Sequence, residues 1–208
     1  MSSKFSEIKS ILESHPIYGV PPEPSEFLNR IYIGTKKNAE SAPTLKRYQF
    51  THVLNCDGIP AIRPDRERRF AEYSSNLDKP IVYDEIYTED NDFFEISRHF
   101  ARVFTLLDRV SKVGRMLIYS DDVNTSGVMA IGYLVYRGMS LEEAVKKLKF
   151  QRNAVLFNVG FMRQLVRFVE ERRQVRKTGG CKSEMGDDLL HDAKMLRKQL
   201  RNYELKLF

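Results

Sequence analysis

Hydrophobic and polar positions divide the chain into alternating helical and extended stretches. Phe5, Ile8, Ile11 and Leu12 recur at helical spacing and predict a short amphipathic helix over residues 3–14. The prolines of "HPIYGVPPEPSE" end it. "FLNRIYIG" and "FTHVLNC" read as β segments on either side of a helix in "KNAESAPTLKRYQ", with "KPIVYDEI" a third strand and "GRMLIYS" a fourth. Between the last two, Ile96, Phe100, Val103, Phe104 and Leu107 form a helical stripe. "SGVMAIGYLVYRG" is apolar on nearly all sides and predicts a deeply buried helix. Ser140-Leu141-Glu142-Glu143 is a capping box opening "LEEAVKKLKFQRN", and Asn158 is placed to cap "VGFMRQLVRFVEERR". Strands alternating with helices predict an α/β layer architecture around a mostly parallel central sheet.

Past this region the pattern changes. Residues 176–186, "RKTGGCKSEMG", read as a linker, and Leu189, Ala193, Leu196, Leu200, Tyr203 and Leu207 then recur at steps of four and three. That is a coiled-coil-like seam, predicting an amphipathic C-terminal helix that docks on its own domain or pairs with another chain, including a second copy. Three parts are therefore expected: residues 1–25 (helix and proline-rich linker), 26–175 (the α/β domain) and 176–208 (linker and basic amphipathic helix).

Composition adds limits. At 208 residues, 42% hydrophobic and 30% charged, the chain is of globular type, and no apolar run is long enough for a membrane span. "MSSKFSEIKS" lacks the apolar core of a secretory signal, which makes a cytoplasmic or nuclear location the expectation. The two cysteines, Cys56 and Cys181, have no CxxC spacing, and the four histidines form no HxxxH pair. Reduced thiols, no structural metal and no cofactor are expected. The net charge is +6, and from Glu171 onward ten Lys/Arg face six Asp/Glu. Such a tail suits a solvated helix surface first, and an acidic protein, nucleic acid or an anionic membrane surface as alternatives.

The candidate chemistry sits between "GRMLIYS" and the apolar helix. A strand–loop–helix junction is where an α/β protein often places its site, yet Ser120-Asp121-Asp122-Val123-Asn124-Thr125-Ser126 holds no Cys, His, Lys or Arg. The order of elements from about Glu26 to Arg172 resembles the dual-specificity phosphatases of the cysteine-dependent protein tyrosine phosphatase superfamily. "FTHVLNC" is similar to that family's "ITHVLN", and "AIGYLVYRGMSLEEAVKKLKFQRNAVLFNVGFMRQLVRF" to its long C-terminal motif. The resemblance implies the family's fold, a thiolate nucleophile and a phosphate-gripping arginine in a Cys-x5-Arg loop, and an aspartic acid on a separate loop.

Here the nucleophile position falls on Ser120 by strand alignment or Tyr119 by helix alignment. The arginine falls on Ser126 or Thr125, and the loop glycine on Val123 or Asp122, in the same order. Asp90, in "IYTEDNDFFEISRHF", matches the general acid. No Cys-x5-Arg occurs anywhere in the chain. The resemblance therefore points to a catalytically dead, STYX-type pseudophosphatase. Such a protein would act as a scaffold in signalling, bound to a protein kinase or its substrate. Asp121 and Asp122 are expected either to face water or to place a carboxylate in the anion nest at the helix N-terminus. The alternatives are a diverged phosphoesterase using Ser120, Asp121 and Asp122, an Mg²⁺ site built from Asp90, Asp121 and Asp122, and a binder of nucleic acid or membrane surface through the basic tail.

Overall fold

The computed structural model describes residues 3–14, 19–58, 80–121, 123–152 and 158–177. Cys181, Asp122, the linker beyond Lys177 and the seam from Leu189 to Leu207 lie outside the described residues. Among those described, five strands form one sheet in the order β1-β2-β5-β3-β4. They are β1 (Ser25–Leu28), β2 (Ile31–Gly34), β3 (His52–Gly58), β4 (Val82–Tyr87) and β5 (Met116–Tyr119). All neighbours run parallel except β1 and β2. "FLNRIYIG" is thus two strands rather than one: the chain reverses at Asn29-Arg30, with Arg30 in the left-handed region at φ 62°. Only two polar residues separate the apolar pairs on either side, and neither is the glycine that usually marks such a turn.

The helices are α1 (Ser3–Glu13), α2 (Lys36–Ala39), α3 (Ala42–Arg47), α4 (Phe100–Val113), α5 (Asn124–Tyr136), α6 (Leu141–Arg152) and α7 (Val159–Lys177), with a 3₁₀ turn over Ile96–His99. "KNAESAPTLKRYQ" holds two short helices where one was expected. Thr35 caps the first in a capping box, and Ser41, followed by a proline in the first turn, caps the second.

Strand periodicity explains the layers. On β5, Met116 and Ile118 face a large core shared with α1, α4, α5, α6 and α7, while Leu117 and Tyr119 face a smaller one under α2 and α3. β2 divides the same way, Ile31 and Ile33 against Tyr32. All of β5 is buried, as is α5 from Asn124 to Val135. The sequence-expected caps form. Ser140 Oγ accepts from Glu143 N at 3.2 Å while Glu143 Oε2 accepts from Ser140 N at 3.1 Å. Asn158 Oδ1 accepts from Phe161 N at 2.9 Å.

Candidate functional site

Parallel strands gather their carboxyl ends at one edge of the sheet, the usual position of a site in such a fold. The segments that meet there follow β2 (Thr35-Lys36), β3 (Asp57), β4 (Thr88 to Asp90) and β5 (Ser120 onward). Ser120 leaves β5 fully buried, and its hydroxyl lies 2.7 Å from that of Ser126. Ser126 N also donates to Ser120 Oγ at 3.0 Å. The loop therefore closes on itself across six residues through two hydroxyls. Tyr119, the other aligned position, still belongs to β5 and shares a 2.6 Å hydroxyl contact with Tyr83. Burial pushes the phenols of both tyrosines up.

Val123 sits at φ 68°, ψ −19°, just before α5. A β-branched residue rarely takes that conformation, and holding it there costs about 1–3 kcal/mol. Its burial keeps it in place. The family's glycine at this stretch would carry no such strain.

The carboxylates divide into distinct environments. Asp121 is largely exposed and faces Lys36 Nζ at 3.5 Å. It points to solvent, and Asp122, the other candidate for the anion nest, lies outside the described residues. A pair this exposed contributes about 0–1 kcal/mol. The backbone N–H of Asp121 donates instead to the carboxylate of Asp57. Burial pushes the Asp57 carboxyl above the ordinary carboxylate range. The Asp121 N–H and the Thr125 hydroxyl pull it back, and the charges of Asp121 and Asp90 push it up further. Asp57 is the residue that reading the sequence missed. The available signal was its place at the end of the apolar run "HVLNC", on a strand adjacent to β5.

Asp90 is held from both sides. Asn124 Nδ2, in the first turn of α5, donates to Asp90 Oδ2 at 2.9 Å, and Asn158 Nδ2 donates to Oδ1 at 2.7 Å. The rest of its loop is pinned by α7. Gly160 N donates to Asp92 Oδ1 at 3.2 Å, and the Gln164 amide bridges Ser97 N and Phe94 O at 3.0 and 2.8 Å. The motif "NVGFMRQ" is thus the clamp of the acid loop: its Asn caps a helix and binds Asp90, its Gly admits the loop backbone, and its Gln ties the far end. Phe93, at the tip of this loop, is 96% exposed. Among the described residues no group of three or more His, Cys, Asp or Glu is placed to hold a metal ion. The structure brings Ser120, Asn124, Ser126 and Asp90 into one neighbourhood with Asp57, and turns Asp121 outward.

The comparisons concern the domain as a whole. Residues 31–171 match the family described as dual specificity phosphatase, catalytic domain. The MAP kinase phosphatase with leucine-rich repeats protein 3 of Dictyostelium discoideum is 26% identical over 147 residues, 70% of this chain and 16% of that protein. Human dual specificity protein phosphatase 5 is 28% identical over 151 residues, 71% of this chain and 36% of that one. This chain therefore spans well under half the length of either relative. Among solved structures, the human tyrosine phosphatase-like serine/threonine/tyrosine-interacting protein superposes with a TM-score of 0.58 at 22% identity, covering 76% of this chain and 99% of that chain. No helix of the described residues is long and apolar enough to cross a membrane. With a family match across more than half its length and the family's sheet and helices around it, the chain belongs to the dual-specificity phosphatase family.

Proposed function

We propose that this chain is a pseudophosphatase, a family member without phosphatase chemistry that acts as a protein-interaction module. The observation that carries the reading is the pair Ser120 and Ser126, six residues apart with their hydroxyls 2.7 Å from each other. On this reading they occupy the nucleophile and arginine positions. A serine hydroxyl engaged with a second serine, with no base beside it in the sequence loop, is a far weaker nucleophile than a thiolate. Loss of the arginine removes a bidentate, charge-assisted grip on the phosphoryl oxygens.

The loop's electrostatics oppose the chemistry as well. The Asp57 carboxylate takes the Asp121 N–H, a backbone donor of the kind that would otherwise face an oxyanion. An Asp charge about 4 Å from a unit negative charge repels it by roughly 4 kcal/mol at an effective dielectric of 20, before screening. Asp90, on the family's acid loop, already accepts from two side-chain amides, one on each oxygen. The solved human relative is described as an interacting protein, which supports a binding role. A protein kinase or its substrate is the proposed partner class, and exposed Phe93 is a contact such a partner would cover.

The test is turnover of aryl phosphates and phosphotyrosine peptides by the purified chain, with and without Mg²⁺. None is expected, and Ser120→Cys alone is expected to remain inactive, because residues that act as a unit are strongly non-additive. Vanadate-sensitive turnover by the unmodified chain, or robust activity from that single change, would overturn the proposal. Turnover only with Mg²⁺ would favour a diverged phosphoesterase instead.

A further inference from the structure

The opposite pole of the sheet, where the parallel strands begin, holds an open cavity of about 840 Å³. Its wall is amphipathic. Arg30, Lys46 and Arg115 contribute three cations against one carboxylate, Glu26, and Leu45, Phe50 and Val113 contribute apolar surface. Glu26 is already engaged, since Oε1 accepts from Arg30 N at 2.8 Å and Oε2 from Tyr32 Oη at 2.9 Å.

Three features at this pole are unexplained by folding alone. Arg115 lies against the Tyr32 ring, 5.2 Å from its centroid, and donates to the Tyr32 hydroxyl, yet its Nε is buried with no hydrogen-bond partner. A buried charged donor without an acceptor is costly, and the guanidinium, which the ring and hydroxyl hold at the cavity wall, is placed to take an oxyanion through its accessible face. Arg30 and Gln49 both stand in the left-handed region, at φ 62° and 53°. They occupy a hairpin turn and the end of α3, where Gln49 N donates to Lys46 O and Phe50 N to Leu45 O. Glycine or asparagine is the ordinary residue at both places. A long cationic and a long amide side chain stand there instead, and both line the same cavity. Val113 is left 76% exposed at its edge.

We propose that this cavity is a binding site for a doubly charged oxyanion carried on an apolar body, a phosphate monoester of an aryl or alkyl group. The guanidinium groups of Arg30 and Arg115 favour an oxyanion that can accept from both, and the apolar wall selects the body. The site lies at the far end of the sheet from Ser120 and does not depend on the catalytic status of that loop.

Phenylphosphonate, which resists hydrolysis, is the probe, with inorganic phosphate as the bare anion and phosphoserine as the form borne on a polypeptide. ¹⁵N amide spectra of the full chain are followed through each titration at constant ionic strength. Saturable shifts are expected at Arg30, Gln49, Thr51 and Gly114, with phenylphosphonate binding at least about tenfold more tightly than phosphate through its buried ring. Arg30→Glu with Lys46→Glu, both exposed positions, is expected to abolish those shifts. Shifts confined to Ser120–Ser126, no saturable shift with any probe, or unchanged binding by the double variant would each overturn the assignment. Because the mapping is made on the unmodified protein, a variant that fails to fold does not remove the test. Saturation by phosphoserine points to a phosphorylated partner, and saturation by phenylphosphonate without phosphoserine to a small-molecule ligand.

Discussion

Asp57 shows how much one side chain settles at the loop. Its carboxyl is pushed above the ordinary carboxylate value of 3.8 chiefly by burial. For an acid raised on folding, the native state holds the proton more tightly than the unfolded state. Stability is therefore highest below the ordinary carboxylate range and falls as pH rises through the raised value. Asp57→Asn removes the charge and keeps an oxygen for the Asp121 N–H. The variant is expected to melt at the same temperature as the parent near about pH 4 and a few degrees above it near about pH 7. Melting curves across that range check the expectation, and a difference independent of pH would mean that ionisation of Asp57 does not strain the loop. Ser120, Ser126 and Asp90 were legible as candidates because the flanking strand and helix place the loop to within one residue. Asp57 was not, because its role arises from the pairing of β3 with β5, which local pattern does not encode.

At the scale of elements, most helices followed from periodicity and one capping box: α1, α4 and α5 lie where apolar spacing puts them, and α6 opens at its Ser140–Glu143 box. The misses share a cause. The β1–β2 reversal and the break between α2 and α3 depend on single residues, Arg30 in a left-handed turn and Ser41 as a second cap, inside stretches with no glycine at the break. The clamp between α7 and the acid loop is a further element-level feature that gives a prediction. A methyl group at Gly160 would lie 2.0 Å from the backbone oxygen of Asp92, and backbone cannot yield as a flexible side chain can. Gly160→Ala is expected to destabilise the fold by about 1–3 kcal/mol through overpacking. It should also release the loop from α7, so that amide exchange quickens at Asn91–Phe94 before it does in β5. Denaturant titration and hydrogen exchange test the two parts separately, and a variant as stable as the parent with an unaltered loop would show that the contact relaxes without consequence.

At the scale of the whole molecule, the chain joins a compact family domain to a C-terminal stretch whose seam of Leu189, Ala193, Leu196, Leu200, Tyr203 and Leu207 has the spacing of a packed helix. An isolated helix of that length is marginal in water, so a helix there needs a surface to dock on. We propose that the seam carries association, either against its own domain or against another chain, more than the loop at Ser120 does. Leu196→Asp with Leu200→Asp would force two charges into the stripe, costing several kcal/mol where the seam is packed. Docking on its own domain predicts a lower melting temperature with unchanged mass in light scattering. Docking on a second copy predicts loss of a dimer at the same protein concentration, with a melting temperature that depends on concentration in the parent and not in the variant. If melting, mass and capture of a kinase partner all match the parent, the stripe is a solvated surface and the tail has no part in association.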